Sequence, residues 1–532
     1  MSAVSLAASY LLLKKQLNPI FPMNINNADK ELSSSLVIFV TRKGQRIKAR
    51  VKELRADSLV FELLSAENIL QLSEVLRDVE VVVAGRLAYR GELSVVGLVP
   101  LGVMVVCEAR ISKPWLLDLF GTEDFLENID QHLEEHTTRW AKDHEIRPVF
   151  RAVVADLEIY LSGLENWCEQ VECGALANRE DSRKREANIL QKLGPIVSQE
   201  IKSHFADYER VVAMLNEDAR HAHRGHLKKA VHRFILQSPF SYRCFTKPLG
   251  YAGDYGMVNL MLGDPYQGVT LFAKLLNFAF LETGPVVAHQ NRINYLVDTL
   301  RELATERAEK GLRTRVLNLG CGPAEEIQRL IESDAVAEHC DFELLDFNPE
   351  TLRYTEKQMV KAQQKAGREV NIKFVEESIQ GFLRQATRGD AYPRESYDFV
   401  YCAGLFDYLQ QRFCSKLTKV MTSLIKEGGL VAVTNVSKDN TIPAVMADFL
   451  EWSLVERTTQ EMMELAPADN LSLLKELKSD STRINLFLEL RNPAARSRDV
   501  GAPKETVTAQ IGRSSVSGSV RSRGGYLEGS EL

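Results

Sequence analysis

The hydrophobic rhythm of the chain changes twice. Between about Ser35 and Ile111 the apolar residues fall in short runs, at 37–40, 47–51, 59–63, 80–83, 92–98 and 103–109. These runs are rich in β-branched residues and are separated by turn formers such as Lys43-Gly44 and Arg90-Gly91. Short strands at this spacing predict a small antiparallel barrel or sandwich. After Pro114 the period lengthens. Residues 122–237 place apolar side chains three and four apart among Glu, Lys, Arg and Ala, which predicts amphipathic helices until Ser238-Pro239 interrupts them. From Arg313 onward short apolar runs at 315–319, 342–346, 372–375, 398–401 and 430–433 alternate with helical segments, the pattern of a mainly parallel sheet covered on both faces. The run at 484–490 is expected to close the sheet as an edge strand. The fold class is thus multidomain α/β. A leader (1–34), a β-barrel (35–112), a helical region (113–237), a segment before the sheet (238–312), an α/β core (313–492) and a flexible Ser/Gly/Arg-rich tail (493–532) follow one another.

Composition narrows this picture. The 532 residues are 45% apolar and 26% charged, as in soluble globular chains, which excludes a disordered protein, a collagen or a coiled-coil rod. With 66 Lys+Arg against 72 Asp+Glu the formal net charge is -6, so bulk charge gives no reason to expect nucleic acid as a partner. No apolar run approaches the roughly 18 residues of a membrane-spanning helix. Eight cysteines show no C-x-x-C spacing and fit buried thiols in a reducing compartment, and the first residues place their lysines after the apolar stretch, the reverse of a secretory signal. The expected location is cytoplasmic.

The segment carrying chemistry is Val316-Leu-Asn318-Leu-Gly320-Cys321-Gly322-Pro323-Ala324-Glu325-Glu326, a strand running into a glycine turn and then a helix. Such a turn lets backbone N–H groups approach a ligand, and the helix N-terminus favours negative charge. Glu325 stands where a dinucleotide fingerprint needs Gly or Ala, which argues against a pyrophosphate. The next strand ends at Asp346, followed by Phe347 and Asn348, and an acid at that tip can accept both hydroxyls of a ribose. Taken singly, the glycine turn could be only a tight loop and the acid only a helix cap. Together they point to an adenosine site.

On these residues, 313–436 resembles the class I S-adenosylmethionine-dependent methyltransferases. Gly320-Cys-Gly322-Pro-Ala324 matches their first motif with Ala at the final glycine, Asp346 the ribose acid, and Glu377 beside Ser378 the acid near adenine. Cys402-Ala403-Gly404-Leu-Phe406-Asp407-Tyr408 matches the fourth-strand motif beside the transferred methyl group, and Lys426-Glu-Gly428-Gly429 the turn before the fifth strand. Asn318 departs from the Asp or Glu common at its position. The resemblance implies a Rossmann-like seven-stranded sheet at 313–492 preceded by a cap or lid segment at 238–312, and S-adenosylmethionine as cofactor, held by Asn318, Gly320, Cys321, Gly322, Pro323, Ala324, Asp346, Phe347, Asn348, Glu377, Ser378, Cys402, Ala403 and Gly404.

A second resemblance covers roughly residues 200–490. Lys247-Pro-Leu-Gly250-Tyr251-Ala-Gly253-Asp254-Tyr255, the fourth-strand motif and residues 446–457 around Trp452 are similar to bacterial extracellular-factor, or 3-hydroxypalmitic acid methyl ester, biosynthesis proteins. It implies O-methylation of a 3-hydroxy fatty acid to give a methyl ester, a diffusible quorum-sensing signal. Tyr251 and Asp254 would belong to a lid over the donor and, with Asp407 and Tyr408, to the catalytic set; Tyr255, His289, Arg292, Phe406 and Trp452 would contact substrate. A carboxylate is already ionised near neutral pH and needs no general base, and the segment 406–408 holds no His or Lys. Two alternatives stand beside this reading: a methyltransferase for an amine, phenol or polyketide acid, and a regulatory protein that senses the cofactor. The histidines of His221-Ala-His223-Arg-Gly-His226 lack acids or cysteines at ligand spacing, so no metal is expected. The first barrel resembles a degenerate PilZ domain through Arg42-Lys-Gly-Gln-Arg46 and Ser58, which implies cyclic di-GMP or a docking protein as its partner. The helical region is a candidate homodimer surface.

Overall fold

A computed structural model describes residues 35–493, except for 41–45, 55–57, 65–69, 71–73, 84–85, 102–103, 175, 177–181, 216, 390, 469–472 and most of 114–144. The leader, Arg42 and the tail beyond 493 lie outside the described residues. Strands β1 (Leu36–Val40), β2 (Arg46–Leu54), β3 (Ser58–Leu64), β4 (Val75–Val83), β5 (Arg86–Leu101) and β6 (Met104–Ile111) close into an antiparallel barrel in the order β1-β2-β3-β6-β5-β4. Closure follows from strict alternation: Val37 and Phe39 of β1, Val79 and Val81 of β4 and Tyr89 of β5 all point inward and are fully buried. The ladder between β4 and β5 slips between Leu76 and Val79, where Asp78 takes φ 51°. A bulge there bends the strand and re-aims its side chains.

Helices α1 (Pro148–Gly174), α2 (Ser182–Val212) and α3 (Glu217–Ile235) lead to α4 (Pro239–Thr246), α5 (Tyr255–Leu262), α6 (Leu271–Leu281) and α7 (Gly284–Ala308). Ser238 starts α4 by accepting the Ser241 N–H at 3.2 Å, with Pro239 at the first helical position. Their apolar faces form one core, continuous across residue 237, that also takes in Ala444, Val445, Phe449 and Trp452 from beyond the fifth strand of the sheet. No single described helix is long and apolar enough to cross a membrane.

The sheet contains β7 (Thr314–Leu319), β8 (Cys340–Asp346), β9 (Asn371–Glu376), β10 (Tyr397–Cys402), β11 (Ile425–Val436), β12 (Leu474–Ser479) and β13 (Asn485–Arg491), ordered β12-β13-β11-β10-β7-β8-β9. The first five run parallel, and β13 is antiparallel to β11. The expectation of a closing edge strand at 484–490 is corrected here: β13 is interior, paired with β11 on one side and β12 on the other. The edge is β12, whose sequence Leu-Lys-Glu-Leu-Lys-Ser is almost wholly exposed. Charged side chains suit a strand with one unpaired flank, and they hide it from a search for apolar runs. Helices α8 (Glu325–Ser333), α9 (Pro349–Ala366), α10 (Ile379–Arg388) and α11 (Gln411–Leu424) cover the faces, while α12 (Pro443–Phe449) and α13 (Thr459–Met463) follow β11. Strand order reverses between β7 and β10, so a crevice opens at their C-terminal ends.

Candidate active site

That crevice is the mouth of a cleft of about 780 Å³, at the larger end of single-ligand sites and roomy enough for two small molecules side by side. Its floor is the glycine turn. Gly320 and Gly322 adopt φ 71° and 52°, and the N–H groups of Gly320 and Cys321 donate to Leu345 O at 2.8 and 3.0 Å, which folds the turn back over β8. Only glycine takes this conformation without strain. Asp346 is buried at the tip of β8, with Oδ2 accepting the Gly322 N–H at 3.1 Å and Oδ1 accepting the Asn348 N–H at 2.9 Å. One carboxylate thus fixes the turn and lines the cleft.

Asn318 donates to Glu326 Oε1 at 3.1 Å and to Tyr401 Oη at 2.9 Å, and Tyr401 donates to the same Glu326 oxygen at 2.7 Å. The acid missing at position 318 is therefore supplied by Glu326 from the first turn of α8, which also lines the cleft. Burial raises its carboxyl pKa. The sequence signal was present, as an acid eight residues after Asn318, but only the helix turn brings the two together.

Tyr251, expected in a lid over the donor, lines the cleft. The Tyr251 ring lies 5.2 Å from that of Phe347, its hydroxyl is 3.3 Å from Asn348 Nδ2, and Phe347 and Asn348 directly follow the ribose acid. Tyr255 stacks on Tyr354 at 4.3 Å and donates to Glu350 at 3.0 Å. Asp254 does other work than that expected of it. Its carboxylate accepts from Arg243 at 2.8 and 3.0 Å and from the Met257 N–H at 2.8 Å, so it caps α5 and does not line the cleft. Glu377 and Ser378 line the cleft, yet Glu377 accepts from Gln385 and from Tyr392 at 2.9 Å, and Ser378 caps α10 through the Gly381 N–H at 3.2 Å. Pro323, Ala324, Ala403 and Gly404 line it as expected. Cys402 and Phe406 do not: both are fully buried in the core between the sheet and α11, on the side of their backbone away from the cleft. Alternation along a strand end decides which neighbours face a ligand, and a motif match cannot see it.

The cleft also holds a buried polar cluster. Arg292 and His289 project from α7, and Arg292 Nη2 contacts His289 Nδ1 at 2.6 Å while Nη1 lies 3.6 Å from Asp407 Oδ2. Since guanidinium only donates, His289 Nδ1 accepts and Nε2 carries the proton in the tautomer this contact requires. Burial, with Arg292 beside it, holds the His289 pKa well below 6.5, so the ring is neutral. His289 Nε2 and Arg292 Nε are buried and have no hydrogen-bond partner. Burial also raises the Asp407 pKa, which Arg292 draws back; its Oδ1 accepts the Val436 N–H at 2.7 Å. Gly404 permits this arrangement: at φ 94° it passes so close to Arg292 that a Cβ would sit 3.0 Å from Nη2. Tyr408 Oη accepts from Trp452 Nε1 at 2.9 Å, and burial followed by Asp407 raises its pKa. Around these groups the wall is apolar, with Met257, Val258, Met446 and Leu454.

Elsewhere, His223 accepts the Arg147 N–H at 3.0 Å and its Nδ1 lies 2.7 Å from Ala219 O, a structural use of the ring; the His221 side chain lies outside the described residues. Among the described residues no three His, Cys, Asp or Glu side chains gather as metal ligands. In the barrel Arg46 faces Glu80 at 3.5 Å and Ser58 is buried.

Residues 311–483 match the family model described as a methyltransferase domain. No curated protein matches the chain. Among solved structures, a possible exported protein from Bordetella parapertussis is 17% identical over 60% of this chain and 100% of its own, with a TM-score of 0.38. Magnesium protoporphyrin IX methyltransferase from Synechocystis PCC 6803 is 13% identical over 39% and 85%, at 0.28, and the N-methyltransferase NodS from Bradyrhizobium japonicum WM9 is 17% identical over 37% and 86%, at 0.25. The chain thus carries a class I methyltransferase domain on a seven-stranded Rossmann-like sheet, and it is an S-adenosylmethionine-dependent methyltransferase. The glycine turn and Asp346 fit that donor, which supplies an electrophilic methyl group.

Proposed function

We propose that the protein methylates the carboxylate of a 3-hydroxy fatty acid, giving a methyl ester. The observation that carries this reading is the Arg292–His289 pair lining the cleft: two buried N–H groups without acceptors, one of them on a cation, with Asp407 on one side and the apolar wall of Met257, Val258, Met446 and Leu454 in the same cleft. Unmatched buried donors are costly, and a carboxylate would supply the missing acceptors while the acyl chain fills the apolar wall. Arg292 and His289 orient the acid, Gly404 leaves room for the Arg292 guanidinium, and Tyr251 with Phe347 covers the donor side. Rate then comes from alignment of an already ionised oxygen with the methyl carbon. No proton has to leave, and the nearby acid–base groups are already engaged: Asp407 by Val436 and Arg292, Tyr408 by Trp452.

The raised pKa of Asp407 supports a second reading, an amine acceptor with Asp407 as base. Incubation with labelled donor and a lipid extract, followed by mass spectrometry, separates the two. The ester reading expects a product carrying an O-methyl ester, formed at a rate nearly flat from roughly pH 6 to 8.5. An N-methyl product with about a tenfold rise per pH unit would overturn it.

A further inference from the structure

We infer that Val75 and Arg77 of the N-terminal barrel are positioning residues for S-adenosylmethionine: they hold the loop at 247–254 in the shape that keeps Tyr251 against Phe347 and Asn348, next to Asp346. The start of β4 is available for this. Among the described residues β1 pairs with β4 only at 80–82, and the ladder from β4 to β5 slips between Leu76 and Val79. Ahead of that slip the Val75 N–H donates out of the barrel, to Gly250 O at 2.9 Å, and Arg77 Nη2 donates to Pro248 O at 3.4 Å. The Gly250 carbonyl belongs to the rigid peptide plane that carries Tyr251. Gly250 takes φ 82°, and a glycine lets that plane swing more freely than any other residue would. The hydrogen bond from Val75 holds its oxygen.

Fixing the plane fixes Tyr251. Its ring lies 5.2 Å from that of Phe347, and its hydroxyl is 3.3 Å from Asn348 Nδ2 and 3.4 Å from Thr351 Oγ1. Asn348 in turn donates its N–H to Asp346 Oδ1 at 2.9 Å. Tyr251, Phe347, Asn348 and Asp346 all line the cleft. Direct contacts therefore run without a gap from β4 through the 250–251 peptide, the Tyr251 side chain and Asn348 to the acid at the cleft floor. A ligand binds more tightly where the side chains around it are already ordered, because their ordering is not charged to the binding step. The barrel supplies that order. The inference concerns the donor alone and holds whatever the acceptor is, so failure of the ester reading leaves it in place.

Val75 is the first residue of β4, a position where a strand tolerates proline, and Val75→Pro removes the N–H given to Gly250. Calorimetry on the full chain is expected to show S-adenosylmethionine affinity falling by about three- to tenfold, the worth of one hydrogen bond. Val75→Ala keeps the N–H and is expected to lose less. Arg77→Glu, at an exposed side chain, sets a carboxylate against the Pro248 carbonyl and is expected to act in the same direction, which keeps the test open should the proline disturb folding of the barrel. The deciding measurement is a double-mutant cycle with Tyr251→Ala. If the barrel acts through Tyr251, each β4 substitution loses most of its effect once the ring is gone, whereas a barrel that only stabilises the fold costs the same affinity in both backgrounds. Unchanged affinity in Arg77→Glu or in a folded Val75→Pro, equal losses in Val75→Pro and Val75→Ala, or losses that add in full to that of Tyr251→Ala would each overturn the inference.

Discussion

At the scale of single residues, Asp346 shows what a motif match reveals and what it leaves out. The sequence marks it as the acid after the second strand of the sheet, and the structure puts it at the cleft floor. The structure adds that its oxygens also hold the Gly322 and Asn348 amides. Replacing it by Ala removes the ribose acceptor and loosens the turn together. Asp346→Ala is expected to weaken donor binding by about 2–4 kcal/mol, roughly 30- to 900-fold, as read by calorimetry. Asp346→Asn keeps one acceptor and should fall between; full affinity in the Ala variant would show that the ribose is held elsewhere. Other residues were legible only in part. Tyr251, His289, Arg292 and Trp452 could be named from the lid motif, the helix before the sheet and the segment after its fifth strand, but the mutual engagement of Arg292, His289 and Asp407 depends on α7 laying Arg292 against Gly404 just after β10. Glu326, Asp254, Cys402 and Phe406 show the reverse case. Their roles turn on which way a side chain leaves a helix turn or strand end, and nothing local in the sequence records that.

At the scale of elements, two buried anchors hold segments that line the cleft. Arg457 is 1% exposed, and its guanidinium donates to Gln411 Oε1 at 2.8 Å, to the carbonyls of Phe406 and Leu409 at 2.8 and 2.5 Å, to Asn435 Oδ1 and to Cys414 Sγ. It clamps the short turn at 406–408 that carries Asp407 and Tyr408. Lysine has the charge but not the planar fork. Arg457→Lys should therefore lower unfolding free energy by about 3 kcal/mol or more in urea and cut turnover more than donor binding. Wild-type turnover in that variant would mean that the turn holds its shape unaided.

Glu209 on α2 is the second anchor. It accepts the Val445 N–H at 2.8 Å at the start of α12, and burial pushes its carboxyl pKa up to about 7. A folded-state pKa above the unfolded value means that the folded protein binds more protons between the two. The stabilisation is complete below the unfolded pKa of about 4.5 and is lost as pH rises through 7. Glu209→Gln keeps an acceptor for Val445 and removes the ionisation. Its Tm is expected to exceed that of the unmodified protein at pH 8 and to match it at pH 5, and an equal Tm at pH 8 would place the titration elsewhere. Strand β12 belongs to the same lesson about elements, since an edge of alternating Lys and Glu is built to be inconspicuous.

At the scale of the whole molecule, hydrophobic periodicity divides the chain where the packing does not. The change at Ser238-Pro239 is visible in the sequence and suggests a boundary between a helical region and a cap. Packing runs straight across it. Phe150, Leu157, Phe205 and Val231 from α1–α3 share one core with Phe272 and Phe280 from α6 and with Phe449 and Trp452 after the fifth strand. Buried polar contacts follow the same path: Tyr208 Oη donates to Asp448 at 2.9 Å, Arg224 pairs with Asp448 at 2.5 Å, and Lys228 pairs with Glu451. The cleft lining at Met446 and Trp452 is therefore backed by α2 and α3, a support that no local pattern could announce. The barrel is different, because its inward side chains form a core of their own. Two truncations follow from this contrast. A chain begun at residue 145 loses the barrel but keeps the shared core, and it should melt cooperatively and be stabilised by S-adenosylmethionine. A chain begun at residue 238 leaves the faces of α6 and α12 uncovered and strands Asp448 without Tyr208 and Arg224, so large apolar surfaces and an unpaired buried acid meet water. It should be insoluble, or lack a cooperative transition by circular dichroism. A soluble, cooperatively melting 238–493 that still binds the donor would show that the helices are dispensable to the methyltransferase and that the sequence boundary is also the physical one.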